Sequence, residues 1–185
     1  MKLFPIALAL AAPLALAPLG AAAPVAAVDS APGVAVAAKG RGLCKPGETV
    51  VFSCRSGTKT ISVCGGTANG ANYAQYRFGT AKKLELSYPA SGTGTMQWAR
   101  TGYSGGGEAQ VSFTSGSHGY TVYSRTVRTN FDARGNMPEF SSGVLVRKDG
   151  KQIRDISCTP RDSGNVDADA AAKFMPEGEI VYPED

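Results

Sequence analysis

The chain has 185 residues, of which 43% are hydrophobic, 18% charged and 8% aromatic, with 23 Gly and 11 Pro. That composition suits a turn-rich globular fold and excludes a coiled coil or an acidic disordered polymer. The formal charge is +4 and there is one histidine, which excludes His-rich metal sites and any mechanism that needs two imidazoles.

Lys2, the apolar run 3–19 and the small residues Gly20, Ala21, Ala22 and Ala23 form the three parts of a secretory signal peptide. The run is Ala-rich and interrupted by Pro5, Pro13 and Pro18, which favours cleavage after Ala22 over a transmembrane anchor. No cysteine precedes Cys44, so no lipid-attachment site is expected at the junction. The expected location is periplasmic or secreted, without a membrane anchor after processing.

Residues 1–22 are thus read as the signal peptide and 23–42 as a flexible Ala/Pro/Gly leader, too poor in large side chains to offset the entropy of ordering it. A β domain is expected over 43–158 and an acidic, largely disordered tail over 159–185. Residues 23–160 carry sixteen Lys and Arg against eight Asp and Glu, a formal +8, whereas 161–185 sum to −5. A basic body of this kind can meet an anionic partner. No basic run exceeds two residues, and no nucleic-acid partner is expected.

Within the domain the apolar period is two rather than 3.6, in short stretches at 48–54, 59–64, 73–79, 82–88, 95–100, 108–114, 119–125, 143–147 and 152–157. Ser56 and Gly57 mark one turn, and Asp149 with Gly150 is a strong two-residue hairpin signal. About eight such strands predict an all-β fold, an antiparallel meander closed as a small barrel or folded as a sandwich. Tyr76, Phe78, Trp98 and Phe113 are expected inside. The tail offers one short helix, around 167–174.

Four cysteines in an exported chain predict two disulfides, for which three pairings exist. With a turn at Ser56 and Gly57, Cys54 lies opposite Lys59, and Cys64 is five residues further, about 16 Å at strand rise. A disulfide requires Cα atoms within about 7 Å, so Cys54 with Cys64 is disfavoured. The expected bonds are Cys44 with Cys64 and Cys54 with Cys158, the second tying the last strand to the first. The ten-residue spacings lack the close ligand pairs of a zinc site; no metal and no cofactor are expected.

No catalytic group is expected either. His118 has Ser115 and Ser117 beside it, but no Gly-x-Ser-x-Gly elbow occurs, and Ser115 to Gly119 read as a hairpin loop. The carboxylates Glu85, Glu108, Glu139 and Asp155 show no spacing that selects a glycosidase pair. Gly105, Gly106 and Gly107 lie between two strands, not before a helix, so they form no phosphate loop.

The run Gly116, Ser117, His118, Gly119, Tyr120, Thr121, Val122, Tyr123, Ser124, followed by Phe140, Ser141, Ser142, Gly143, Val144 and then Arg147, Lys148, Asp149, Gly150, resembles the periplasmic lysozyme inhibitors, especially those directed at invertebrate-type lysozymes. The resemblance covers about 35 residues. It implies a small disulfide-bearing β domain whose Gly-Ser-Tyr loop enters a glycosidase cleft. By position Ser117 matches the loop serine, and the tyrosine is displaced to Tyr120 by His118 and Gly119. Partner contacts are then expected from Ser115, Ser117, His118, Tyr120, Tyr123 and Arg125. The partner is a cell-wall hydrolase or another envelope protein; the alternative is a non-catalytic module for an anionic cell-wall or outer-membrane polymer.

Overall fold

A computed structural model describes residues 42–91, 94–132 and 135–182. The expected signal peptide, all but the last residue of the leader, and the last three residues of the chain lie outside them. Nine strands alternate as the sequence pattern requires: β1 (Thr49–Ser56), β2 (Lys59–Ala68), β3 (Ala71–Gly79), β4 (Leu84–Tyr88), β5 (Met96–Tyr103), β6 (Gly106–Ser115), β7 (His118–Asp132), β8 (Gly135–Lys148) and β9 (Lys151–Ser157). They pair in chain order as two antiparallel sheets, β1-β2-β3-β4 and β5-β6-β7-β8-β9. The sheets do not close into a barrel; they share one core, as the sandwich alternative requires.

Tight turns set the registers. Asn69 and Gly70 join β2 to β3 with φ of 51° and 76°, and Asp149 and Gly150 join β8 to β9 with 50° and 84°. Positive φ at both central residues matches the right-handed twist of the flanking strands, and Asn, Asp and Gly tolerate it best. The first hairpin turns at Gly57 and Thr58, one residue later than expected, so Cys54 faces Ile61 instead of Lys59.

One parity of each strand fills the core. Phe52, Ile61, Val63 and Tyr76 of the first sheet meet Met96, Trp98, Val111, Phe113, Val122 and Val144 of the second. The Tyr76 and Phe113 rings, 5.1 Å between centroids, bridge the sheets. Phe78 is partly buried against the same cluster. The disulfides are Cys44–Cys64 and Cys54–Cys158, with Cα separations of 5.4 and 5.8 Å. The second joins β1 of one sheet to the residue that follows β9 of the other.

The opposite faces are not bare, because each is crossed by an end of the described chain. Over the first sheet, residues 42–48 are held by Cys44–Cys64, by the Leu43 N–H donating to Ser62 Oγ at 3.0 Å, and by Arg77. The Arg77 guanidinium donates through both Nη atoms to Glu48, each at 2.6 Å, with both side chains nearly sealed from solvent. Burial pushes the Glu48 carboxyl up, but hydrogen bonds from Arg77, the Lys45 N–H and the Tyr73 hydroxyl prevail and bring it down to about 2.

Residues 159–182 correct the expectation of a largely disordered tail, and with it the end of the domain at 158. Thr159 and Asp167 donate backbone N–H groups to Arg55 and Val51 of β1. Asp167 caps α1 (Ala168–Ala171), accepting from the Ala170 N–H at 2.9 Å. Val166, Ala170, Ala171 and Met175 enter the core, whereas Asp162, Asp167, Asp169, Glu177 and Glu179 stay exposed. Summed charge hides that alternation. The chain then runs beside β5, where Trp98 donates to Pro176 O and Gly178 donates to Trp98 O, and reaches the outer face of the second sheet at Val181 and Tyr182.

β7 and β8 also outrun their neighbours. β6 pairs β7 only as far as Gly106 with Val127, and β9 pairs β8 only from Gly143, leaving 128–132 and 135–138 as a two-stranded arm. Pro138 sits there opposite Arg128, where β8 has no second neighbour to need its missing N–H. Met137 on this arm and Phe140 at its base are 62% and 70% exposed.

Candidate functional site

The tips of two hairpins lie side by side at one end of the second sheet. Gly116, with φ of 60°, and Ser117 turn β6 into β7, and Asp149 and Gly150 turn β8 into β9. His118 faces Lys148 across the ladder, and the Asp149 N–H donates to Ser117 O at 3.4 Å. Ser115 pairs with His118 at the end of the β6–β7 hairpin, and Ser117 Oγ lies 3.3 Å from His118 Nδ1. Ser115, Ser117 and His118 are thus brought together, with Ser117 exposed.

The other three expected contact residues lie elsewhere. Tyr120 turns inward, its ring stacked on Phe113 at 4.9 Å and 9°, and Phe113 is stacked in turn on Tyr88 at 4.4 Å and 12°. Tyr123 is buried on the opposite face, its hydroxyl donating to Asp155 at 3.3 and 3.4 Å. Arg125 donates from Nε and Nη2 to the two Glu108 oxygens at 2.7 and 3.2 Å. Burial pushes the Glu108 carboxyl up, but Arg125, Gln110 and Tyr103 outweigh it and hold it below the ordinary value. Strand parity explains the split: along β7 even-numbered residues face the core and odd-numbered ones the outer face, so Tyr120 and Tyr123 cannot line one surface.

Beside the two tips lies a pocket of about 560 Å³ whose lining includes Gln97, Ser112, Thr114, Thr121, Arg147 and Val181. Arg147 is only 8% exposed. Its Nη1 donates to Thr121 Oγ1 at 3.2 Å and its Nη2 to Tyr182 O at 2.9 Å, while Nε has no partner. Among the described residues no carboxylate pairs with it. No local sequence signal marks Arg147, because the carbonyl it meets belongs to Tyr182 of the returning tail, far along the chain.

Cys44, Glu48 and Cys64 bring potential metal ligands within 4.8 Å of one another. Both sulfurs are consumed in one disulfide and the carboxylate is committed to Arg77, so that cluster has no thiolate to offer a metal. Comparison with protein-family models, with curated protein sequences and with solved structures gives no match.

Proposed function

We propose that this chain is an exported, non-catalytic protein of the cell envelope that binds and inhibits a cell-wall hydrolase, with the β6–β7 tip entering the enzyme's cleft. The observation that carries this reading is the Ser117 and His118 pair, set on a two-residue turn at the end of the sandwich. The stacked rings of Tyr88, Phe113 and Tyr120 brace the strands behind it. A hydroxyl and an imidazole presented on a rigid hairpin can replace sugar contacts in a concave site with little ordering cost. No carboxylate orients the His118 imidazole among the described hydrogen bonds, which favours a contact role over a relay.

Two disulfides favour an oxidising compartment, and no described helix is long and apolar enough to cross a membrane. The folded tail also changes the charge argument. Over the described residues the body up to 160 sums to a formal +6 and the tail from 161 to −3, leaving +3, so a cationic hydrolase meets less repulsion than the body alone would impose. The test is inhibition of cell-wall lysis by the oxidised mature protein against chicken-, invertebrate- and goose-type lysozymes at physiological salt. Stoichiometric inhibition of one type is the expected result; inhibition of none sinks the lysozyme reading.

A second reading, binding of an anionic envelope polymer, is favoured by the exposed Lys148 and Lys151 that flank the Asp149–Gly150 turn and by exposed Arg154 on β9. Adhesion of that kind should fade steeply between low and moderate ionic strength, whereas a tip seated in a cleft should fade less.

A further inference from the structure

Three arginines of this fold lie on the outer sheet faces with most of their surface covered, and two of them are neutralised. Arg77 holds Glu48 through two bonds, and Arg125 holds Glu108 through two. Arg147, more than nine-tenths buried, has among the described residues only the neutral oxygens of Thr121 and Tyr182 as partners. A guanidinium carries five N–H donors; the described bonds use two of them, and Nε is left without a partner. A buried cation without a counter-charge is an unfavourable arrangement unless something supplies the opposite charge. Arg147 also lines the pocket beside the hairpin tips.

The geometry points to a binding site in which Arg147 anchors the carboxylate of a sugar acid seated in that pocket. Nη1 and Nη2 each retain one N–H beyond the bonds to Thr121 and Tyr182, donors that a carboxylate can accept. The walls supply what the rest of such a ligand needs: the hydroxyls of Thr95, Ser112 and Thr114 and the amide of Gln97. Many hydroxyls around one fixed cation favour a polyhydroxylated acid over a fatty acid, which would leave those wall groups unpaired. The acidic residue of the pocket rim is Asp149, exposed at the β8–β9 turn, and its charge weakens the hold on an anionic ligand without cancelling it. This site does not depend on the hydrolase reading, since it is tested without any enzyme.

The experiment is a titration of the oxidised full domain with D-glucuronate, with D-glucose as the neutral control, followed by calorimetry and by the ¹⁵N resonance of the Arg147 side chain. Expected are one-to-one binding, at least tenfold weaker binding of glucose, and a shift of the Arg147 Nε signal. Arg147→Gln should weaken glucuronate at least tenfold. Because that variant removes a buried group, Asp149→Asn provides an independent arm: Asn tolerates the positive φ of this turn, and losing the rim charge should tighten glucuronate about twofold or more without changing glucose. An acidic peptide added as competitor should not displace the sugar acid. The proposal is overturned by no glucuronate binding at about 10 mM, by equal binding of glucose, by unchanged affinity in a folded Arg147→Gln, or by displacement with the peptide alone.

Discussion

The side-chain amide of Gln110 and the backbone of Val181 hydrogen-bond in both directions: Nε2 donates to Val181 O at 3.1 Å, and the Val181 N–H donates to Oε1 at 2.9 Å. A side chain in the middle of β6 thereby mimics a neighbouring strand and holds the returning tail against the sheet. Gln110 is 2% exposed, so leaving either partner unmade costs about 1–3 kcal/mol. Gln110→Leu should lower stability by that amount and raise amide hydrogen exchange at 178–182 selectively. Exchange that rises equally throughout the domain would show that the tail is not a separately held strap.

Glu48 gives the fold an acid limit. Its carboxyl, at about 2, lies below its ordinary 4.5, so the unfolded chain binds the extra proton between these values. The stabilisation is complete above about pH 4.5 and is lost as pH falls towards 2. Glu48→Gln should flatten that part of the stability profile by an amount on the order of 1–3 kcal/mol. Glu108, also lowered, contributes in the same direction and should leave a residual slope. The measurement is urea unfolding from pH 7 to pH 2; an unaltered slope in the variant would mean that the Arg77–Glu48 pair does not govern acid stability.

The two disulfides should differ in worth because they close loops of different length. Cys54–Cys158 spans 104 residues and Cys44–Cys64 spans 20, for which chain entropy gives about 5 and about 3 kcal/mol. Replacing the first pair with alanine should therefore lower the melting temperature more than replacing the second. The reverse order would mean that the second bond's role in fastening residues 42–48 outweighs loop entropy.

Tyr120 and Ser117 should separate cleanly, although the family resemblance places both on one binding loop. Tyr120→Ala removes a ring stacked on Phe113 and should cost about 2–4 kcal/mol. Ser117→Ala, at an exposed tip, should alter stability by less than about 0.5 kcal/mol. Thermal unfolding of the two variants checks this. Equal stability would place the Tyr120 ring outside the core.

The sequence made the strands legible because their signal is local: Leu84, Leu86 and Tyr88 alternate with Glu85 and Ser87, and Asp149–Gly150 announces its turn. Strand rise disfavoured Cys54 with Cys64 even with the first turn misplaced by one residue, and of the two pairings left the expected one is observed. The short helix expected around 167–174 is observed as α1, but the docking of the tail was not legible, because Val166, Ala170 and Met175 stand among acidic residues and reach the core only through tertiary packing. At the candidate site, Ser115, Ser117 and His118 could be placed on a hairpin tip from turn chemistry alone. Tyr123 and Arg125 could have been separated from Tyr120 by strand parity alone.

Whether the β6–β7 tip enters a hydrolase cleft is read by an inhibition titration against the responsive lysozyme type with wild-type protein and with Ser117→Trp. A bulky ring at an exposed turn should leave the melting temperature unchanged and block entry into a cleft, so wild type should inhibit stoichiometrically and the variant should lose at least tenfold. Inhibition of no lysozyme type by wild type, or equal inhibition by Ser117→Trp, would contradict entry of the tip.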